Sequence, residues 1–303
     1  MAEGNDLILR GVLLDRRARF TAISGAGLVE TARCVHALSR VCTAALGRAL
    51  MMTSMMGVSL KGGGERVTSI IKGGGPAGNI VCTADETGRV KGYIENPSVE
   101  LPPTPSGKLD VAGAVGAQGE LTIVRDMSLK EPYVGRSPLV SGEIAEDFAH
   151  YFTVSEQLPS LVYLGVRVDI ETGATLAAGG MLVQTLPGCP DEDSDRLAAC
   201  ANGISRLTRS LQAGETLPSA AASIFAGMDM EILHSYAPEF RCDCGRERLE
   251  RVLLSLGREE LEDMIEKERG AQLTCHFCNA VYNFNESELR RLLAEGKRKR
   301  NDG

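Results

Sequence analysis

The pattern of hydrophobic and polar positions changes character twice along the chain. Up to about residue 185, short apolar runs typical of strands alternate with two longer stretches of helical periodicity. Extended structure is predicted over 7–25, 67–71, 79–84, 89–94, 121–124, 161–170 and 175–185. Helices are predicted over 28–60 and 144–156. Residues 1–185 are therefore expected to form one mixed sheet-and-helix core domain, and the fold class is predicted to be α+β.

The first change comes at residue 186, where Pro, Gly and acidic residues replace the apolar runs. Ser194 and Asp195 are suitable N-caps for a helix that extends to about Gln212. The face of this helix predicted to point inward consists of Leu197, Ala201, Ile204, Thr208 and Leu211. Because Ala and Thr bury little apolar area, residues 186–240 are predicted to form a helical, metastable linker that docks weakly.

The second change comes at residue 241, where charged residues become dense and four of the nine cysteines form two short pairs. The pairs are Cys242-Asp243-Cys244 and Cys275-His276-Phe277-Cys278, with thirty residues between them. Structural zinc takes four such ligands at the corners of a tetrahedron, and so small a domain usually needs a cross-link. A zinc-binding domain is therefore predicted over 241–295. Its single ion is predicted to bind to the thiolates of Cys242, Cys244, Cys275 and Cys278.

Four thiolates would close such a site to water and substrate, which argues against hydrolytic zinc catalysis. His276 lies within the second pair and is expected to be exposed rather than a ligand. Thiolates are the form of cysteine that peroxide oxidises. A disulfide could close easily between Cys275 and Cys278, and with some strain between Cys242 and Cys244. Oxidation would then expel the metal and unfold the domain, so the cluster can act as a redox switch.

The formal net charge of −7 argues against broad neutralisation of phosphate as the task of the protein. Residues 296–303 form a basic tail that contains Lys297-Arg298-Lys299-Arg300, and a solvated tail is favoured over a nucleic-acid contact. The N-terminus lacks a secretory signal pattern, and no apolar run is long enough to span a membrane. A cytoplasmic location, without membrane or nucleic-acid partners, is expected.

A glycine-rich run, Gly73–Gly78, matches the spacing of a dinucleotide-binding loop. That motif needs a helix to begin at its last glycine, whereas Asn79–Ala84 has the pattern of a strand. A turn between antiparallel strands is therefore favoured over a cofactor site. The next turn is predicted at Asp85–Gly88 and would close a hairpin.

The remaining candidate residues have simpler interpretations. Packing in the core is predicted for Cys34, Cys42, Cys82 and the helical stripe Met51, Met52, Met55 and Met56. Cys189 and Cys200 flank the start of the linker, and the sequence assigns them no role. His36, His150 and His234 are isolated, and no catalytic set is evident, so the protein is not expected to be an enzyme.

Several segments along the chain together resemble the 33 kDa heat-shock proteins, a family of redox-regulated bacterial chaperones. The two cysteine pairs are similar to the C-x-C and C-x-x-C motifs of that family. Further similar segments lie at Ile71–Pro76, Gly92–Pro97, Ser141–Asp147, Ser155–Ser160 and Gly179–Gln184.

This resemblance implies a specific function. The four cysteines of the pairs would coordinate one zinc ion per chain in a reduced, inactive state. Oxidation would form the disulfides Cys242–Cys244 and Cys275–Cys278, release the zinc and unfold the linker. The active form would be a homodimer that holds unfolding client proteins without ATP and so prevents their aggregation.

Two other functions stay open at this point. A zinc module that binds nucleic acid would be strongly basic, whereas residues 241–303 carry 13 basic and 13 acidic side chains. A thiol–disulfide oxidoreductase would place Cys275 and Cys278 at the start of a helix beside a βαβ unit, and the flanking sequence does not have that pattern.

The predicted linker can be tested by amide hydrogen exchange. The amides of 186–240 should exchange faster than those of predicted strands in 1–185, because a weakly docked segment opens more often. Mass-spectrometric exchange of the reduced chain measures this difference. Uniformly slow exchange across 186–240 would contradict the prediction.

Overall fold

The computed structural model describes residues 6–127 and 131–301, with side chains described up to residue 294. The chain divides into two compact units, Met1–Arg241 and Cys242–Gly303. The predicted division of the first unit into a core over 1–185 and a linker over 186–240 stays a prediction. No helix in the described part of the chain is long and apolar enough to cross a membrane.

The first unit contains eleven strands and eight helices among its described residues. The strands are β1 (Leu7–Leu13), β2 (Ala18–Ser24), β3 (Arg66–Lys72), β4 (Ile80–Asp85), β5 (Arg89–Ile94), β6 (Glu120–Asp126), β7 (Tyr133–Pro138), β8 (Ser160–Val168), β9 (Thr175–Thr185), β10 (Glu231–Tyr236) and β11 (Glu239–Phe240). The helices are α1 (Ala26–His36), α2 (Arg40–Gly57), α3 (Val111–Val115), α4 (Ala145–Ser155), α5 (Asp191–Ala199), α6 (Ala201–Ile204), α7 (Leu207–Gln212) and α8 (Leu217–Ile224).

The strands form two sheets. One has the order β10-β1-β2-β9-β8 and is antiparallel throughout. The other has the order β11-β5-β4-β3-β6-β7, and only its β11–β5 pair is parallel. The predicted hairpin of β4 and β5 is confirmed, with the Oδ1 atom of Asp85 accepting from the Thr87 and Arg89 amides at 2.9 and 3.2 Å.

Helix α2 packs against strands of both sheets, namely β8 of one and β4 and β5 of the other. Its residues from Val41 to Gly57 are buried apart from Arg48. Small residues let the strands approach closely, since a Cβ atom on Gly57 would lie 2.4 Å from the Asp85 carbonyl oxygen. The predicted burial of Met51, Met52, Met55 and Met56 is confirmed, because each is at most 5 % exposed.

The single helix predicted over 28–60 is wrong. Helix α1 has Ala37 as its C-cap, in the left-handed conformation (φ +48°). Helix α2 then begins after its N-cap, Ser39. The Ser39 hydroxyl caps α2 by accepting from the Cys42 amide at 3.2 Å. The backbone amide of Ser39 donates to the Pro97 carbonyl at 2.8 Å. This cap marks a break between two helices that apolar periodicity alone cannot reveal.

The helix predicted from Ser194 and Asp195 to Gln212 is also corrected. Pro190 is the N-cap, and the chain then forms three short helices, α5, α6 and α7. Three acidic residues in the first turn of α5 favour this earlier start. The hydroxyl of Ser205 donates to the Asn202 carbonyl at 2.8 Å, a local bond that competes with continued helix.

Residues 186–240 are also not purely helical, because they contribute β10 and β11 to the two sheets. Of the predicted inward face, Leu197, Ile204 and Thr208 are buried, Leu211 is half-buried and Ala201 is exposed. Buried apolar side chains outside the predicted face, including Leu207, Leu217 and Phe225, also belong to the apolar cluster of this segment. The Phe225 ring lies 5.3 Å from that of Phe20 on β2. This apolar contact joins the helices of 186–240 to β1, β2 and β9.

The second unit contains a two-stranded sheet and a helical layer. Its elements are α9 (Arg246–Leu256), α10 (Arg258–Asp263), a π-helical turn (Met264–Glu268), β12 (Gly270–Thr274), β13 (Val281–Asn285) and α11 (Glu286–Asn301). Its core is thin, as predicted, and consists of Leu253, Leu261, Ile265, Phe284, Leu289 and Leu292 with partly buried neighbours. The predicted basic tail over 296–303 lies outside the residues whose side chains are described.

The docking of 186–240 should depend on Leu207, which is fully buried. Leu207→Ala should lower the free energy of local opening of 186–240 by about 2–5 kcal/mol, because it leaves a cavity. Native-state amide exchange measures that free energy. Leu176→Ala is the matched control, since Leu176 is 45 % exposed, and should change it by less than about 0.5 kcal/mol. Equal effects of both variants would show that the contact contributes little.

Candidate metal centre

Each pair of cysteines is positioned by a different local structure. Cys242 and Cys244 lie in the irregular segment before α9, whose N-cap is Gly245. Cys275 follows β12 directly, and Cys278 lies in the turn to β13. In that turn the Asn279 amide donates to the Cys275 carbonyl at 2.8 Å, with Asn279 in the left-handed conformation at φ +56°.

The four thiols converge, and their Sγ atoms all lie within 4.8 Å of one another. Cys242 and Cys275 are 3.7 Å apart at Sγ, and Cys244 and Cys278 are 3.3 Å apart. A tetrahedral ion with metal–sulfur bonds of about 2.3 Å requires sulfur–sulfur separations of about 3.8 Å. The arrangement is therefore suited to a single metal ion bound by four sulfur atoms.

The cluster consists of sulfur ligands alone and is partly buried. Cys275 is buried, the other three cysteines are half-buried, and all nine cysteines of the chain are free thiols. His276 is exposed, as predicted, and is not part of the group. In the described part of the chain, this is the single group of three or more Cys, His, Asp or Glu side chains close enough to bind a metal.

The electrostatics of the cluster favour a cation. Burial raises the pKa of the Cys242 thiol, and it raises the pKa of Cys278 to about 11. Burial also opposes ionisation of Cys244, but hydrogen bonds from Tyr282 and Cys278 outweigh it and lower the pKa of Cys244. Protein groups thus stabilise one thiolate directly, whereas a divalent cation would stabilise all four.

Tyr282 contacts the cluster and Arg246 packs on the neighbouring Phe284, and neither contact was predicted from the sequence. The Tyr282 hydroxyl lies 3.2 Å from the Sγ atom of Cys244, and this bond raises the pKa of Tyr282 to about 12. The Arg246 guanidinium lies 4.3 Å from the centre of the Phe284 ring and donates to the Glu288 carboxylate at 2.6 Å. The alternation of β13 places Tyr282 and Phe284 on one face, a signal that could have indicated the first contact.

The glycine-rich run connects the antiparallel strands β3 and β4, as predicted. A Cβ atom on Gly73 would lie 2.2 Å from the Val115 carbonyl oxygen, and one on Gly75 would lie 2.4 Å from that of Ala114. These glycines therefore allow two backbone segments to pack directly against each other.

The other five cysteines lie away from the cluster. Cys42 and Cys82 are buried, as predicted, and burial raises the pKa of both thiols. The predicted burial of Cys34 is wrong. The buried face of α1 consists of Leu28, Val29, Ala32 and His36, and Cys34 lies off that face, exposed beside Glu30 and Arg33. Cys189 and Cys200 are half-buried.

Comparison with known proteins agrees with this architecture. The model of the Hsp33 protein family matches residues 6–285. The chain belongs to the Hsp33 family. The resemblance found in the sequence motifs is thereby confirmed, and it extends over nearly the whole chain.

Relatives of this Hsp33-family chain are named as chaperonins. The 33 kDa chaperonin of Alkaliphilus metalliredigens (strain QYMF) is 44 % identical over 95 % of this chain and 98 % of its own length. That of Clostridioides difficile (strain 630) is 40 % identical over 96 % of this chain and 99 % of its own. The crystal structure of the 33 kDa chaperonin from Thermotoga maritima is similar with a TM-score of 0.88 and 39 % identity, covering 96 % of this chain and 98 % of that one. The family and these names support a chaperone role.

The hydrogen bond from Tyr282 to Cys244 should strengthen metal binding. Tyr282→Phe should weaken it by about ten-fold, since loss of an outer hydrogen bond to a ligand commonly has that effect. Competition between the reduced chain and a chromophoric chelator, with Zn2+ and with Co2+, measures the affinity. Tyr133→Phe, at an exposed position of the other unit, is the control and should bind as the original chain does. Unchanged affinity in Tyr282→Phe would refute this role.

Proposed function

We propose that this chain is a redox-regulated, ATP-independent holdase chaperone whose switch is the four-cysteine cluster. The observation that carries the proposal is the convergence of Cys242, Cys244, Cys275 and Cys278 into one closed, sulfur-only group. In the reduced, inactive state these thiolates would bind one Zn2+ per chain. The ion would supply a cross-link on the order of 10 kcal/mol to a unit with a thin apolar core.

Oxidation would remove the ligands as two disulfides, Cys242–Cys244 and Cys275–Cys278. In each pair, one thiolate attacks a hydroperoxide and becomes a sulfenic acid, and its partner then displaces water from that sulfur. Each disulfide thus consumes one hydroperoxide and two thiols and, with hydrogen peroxide, yields two waters. The close spacing within each pair favours this pairing, because each partner is two or three residues away.

Loss of the ligands would unfold the second unit and, with it, the segment 186–240. This segment ends directly before Arg241 and Cys242, so the two are covalently continuous. Its helices pack against β1, β2 and β9 of the same unit through Leu197, Ile204 and Phe225. Once undocked, these side chains and the apolar faces of β1, β2 and β9 would be available to unfolding client proteins.

The active form would be a homodimer in the cytoplasm, with no membrane or nucleic-acid partner and no enzymatic activity. The geometry gives less support to a thiol–disulfide oxidoreductase. Cys275 and Cys278 lie in the turn of a β-hairpin, whereas redox-catalytic pairs gain reactivity at a helix N-terminus.

The proposal predicts that chaperone activity and zinc release appear together. The reduced, zinc-loaded chain should not slow the aggregation of a thermally unfolding client, because its apolar surface is covered. Hydrogen peroxide at mild heat should release one Zn2+ per chain and make it protective without nucleotide. Light scattering of the client and a chromophoric zinc indicator measure the two effects in parallel.

Variants separate the switch from a general effect of oxidation. Cys275→Ser should lose metal affinity and should no longer form the Cys275–Cys278 disulfide. Cys34→Ser, at an exposed thiol outside the cluster, should respond as the original chain does. If the oxidised chain released zinc but left the client to aggregate, the holdase function would be refuted.

A further inference from the structure

Two thiols outside the cluster lie at opposite ends of one helix. Cys189 is two residues before α5, and Cys200 is its C-cap. Among the cysteines outside the cluster, these two alone belong to the segment 186–240. Because of this position, whether the two thiols can form a disulfide depends on whether α5 is folded.

The folded helix prevents a disulfide between them. The helix caps Pro190 and Cys200 are ten residue steps apart, so at about 1.5 Å per residue the helix holds their Cα atoms roughly 15 Å apart. Cys189 is one residue before Pro190, and one Cα–Cα step is about 3.8 Å, so its Cα atom lies at least about 11 Å from that of Cys200. A disulfide requires Cα atoms within about 7 Å. The bond can therefore form only after α5 unfolds, and once formed it prevents α5 from reforming.

Several contacts keep α5 folded in the reduced chain. The Asp193 carboxylate is buried and pairs with the guanidinium groups of Arg17 and Arg196, each at 3.1 Å. Arg196 also donates to the Gly227 carbonyl at 2.8 Å. The Sγ atom of Cys200 lies 3.4 Å from the Ile224 carbonyl oxygen and 3.8 Å from the Met228 sulfur. A disulfide to Cys189 would break these contacts.

We propose that Cys189 and Cys200 form a third, conditional disulfide that closes only after 186–240 has unfolded and then retains that segment in the unfolded state. This inference rests on the proposed function, in which oxidation of the cluster unfolds the segment. It adds a second redox step that responds to conformation. Reduction of the cluster disulfides alone would then not return the segment to its docked state.

The step needs one hydroperoxide. The Cys189 thiolate attacks the peroxide oxygen and becomes a sulfenic acid, and the Cys200 thiolate then displaces water from that sulfur. With hydrogen peroxide, two thiols and one oxidant thus give one disulfide and two waters. In an unfolded chain, loops of about ten residues close within about 100 ns, so the two thiols meet readily.

The folded state also protects Cys200 chemically. Burial among Ile224 and Met228 raises the pKa of the Cys200 thiol, and the nearby Arg196 offsets this only in part. Because the thiolate is the reactive form, unfolding of the segment both brings the thiols within reach and increases the reactivity of Cys200.

Tryptic mapping of the full chain tests the pairing directly. Cleavage after Arg167, Arg196 and Arg206 places Cys189 on peptide 168–196 and Cys200 on peptide 197–206. The chain would be treated with hydrogen peroxide at low temperature or at mild heat, alkylated and digested without reductant. We expect the two peptides to be joined only in samples whose 186–240 amides exchange rapidly.

Two variants and a control test the consequence. After oxidation, the chain would be given Zn2+ and a limiting monothiol reductant, and recovery of slow exchange in 186–240 would be followed. Cys189→Ser and Cys200→Ser should both recover at least about three-fold faster than the original chain, because an unstrained disulfide resists reduction by monothiols. Cys34→Ser should recover at the original rate.

The possible outcomes separate this inference from the proposed function. Zinc release and client protection without the joined peptides would overturn the inference alone. Joined peptides in samples where α5 amides still exchange slowly would overturn its geometric basis. If zinc stayed bound and the client aggregated, the proposed function would fail. In that case the chain would be treated with hydrogen peroxide in urea, at the midpoint of 186–240 unfolding, and mapped again. Absence of the joined peptides there would refute the Cys189–Cys200 disulfide.

Discussion

The mutual proximity of four ionisable sulfur atoms is the constraint on which the second unit depends. Bringing four thiols within 4.8 Å places several groups of potentially equal charge in a partly buried volume. A bound cation would resolve this conflict, since it would stabilise every thiolate at once and convert repulsion into a cross-link. Among the side chains that the structure describes, the main apolar cluster of this unit contains six buried ones. So small a core could offset little of the loss of such a cross-link.

The first unit is organised by a different principle. Helix α2 is buried on almost every side because it packs against strands of both sheets. The absence of a side chain at Gly47 and Gly57 permits this close packing, since a Cβ atom at either position would lie within 3 Å of neighbouring atoms. The core around α2 is thus formed by apolar packing, which suits a part of the chain that would persist while 186–240 and the second unit respond to oxidation.

The segment 186–240 belongs to the first unit but is built differently from the core around α2. Its helices are short, but they contribute Leu207 and Phe225 to an apolar cluster shared with β1, β2 and β9. The ion pairs of Asp193 and the burial of Cys200 add polar contacts that exist only while α5 is folded. Such a segment can be stable when docked and can still unfold cooperatively, and a conditional redox site requires both properties.

The sequence by itself determined the local features of this protein. The paired cysteines, the β4–β5 hairpin and the buried methionine stripe follow from spacing and periodicity, which act over a few residues. The motifs also identified the family.

Tertiary structure alone decided the features that depend on distant partners. The break between α1 and α2 depends on the bond from Ser39 to Pro97, and Tyr282 contacts Cys244 because the thirty residues between the pairs fold back. Such contacts have no local signal, because packing and hydrogen bonding join residues far apart in the chain.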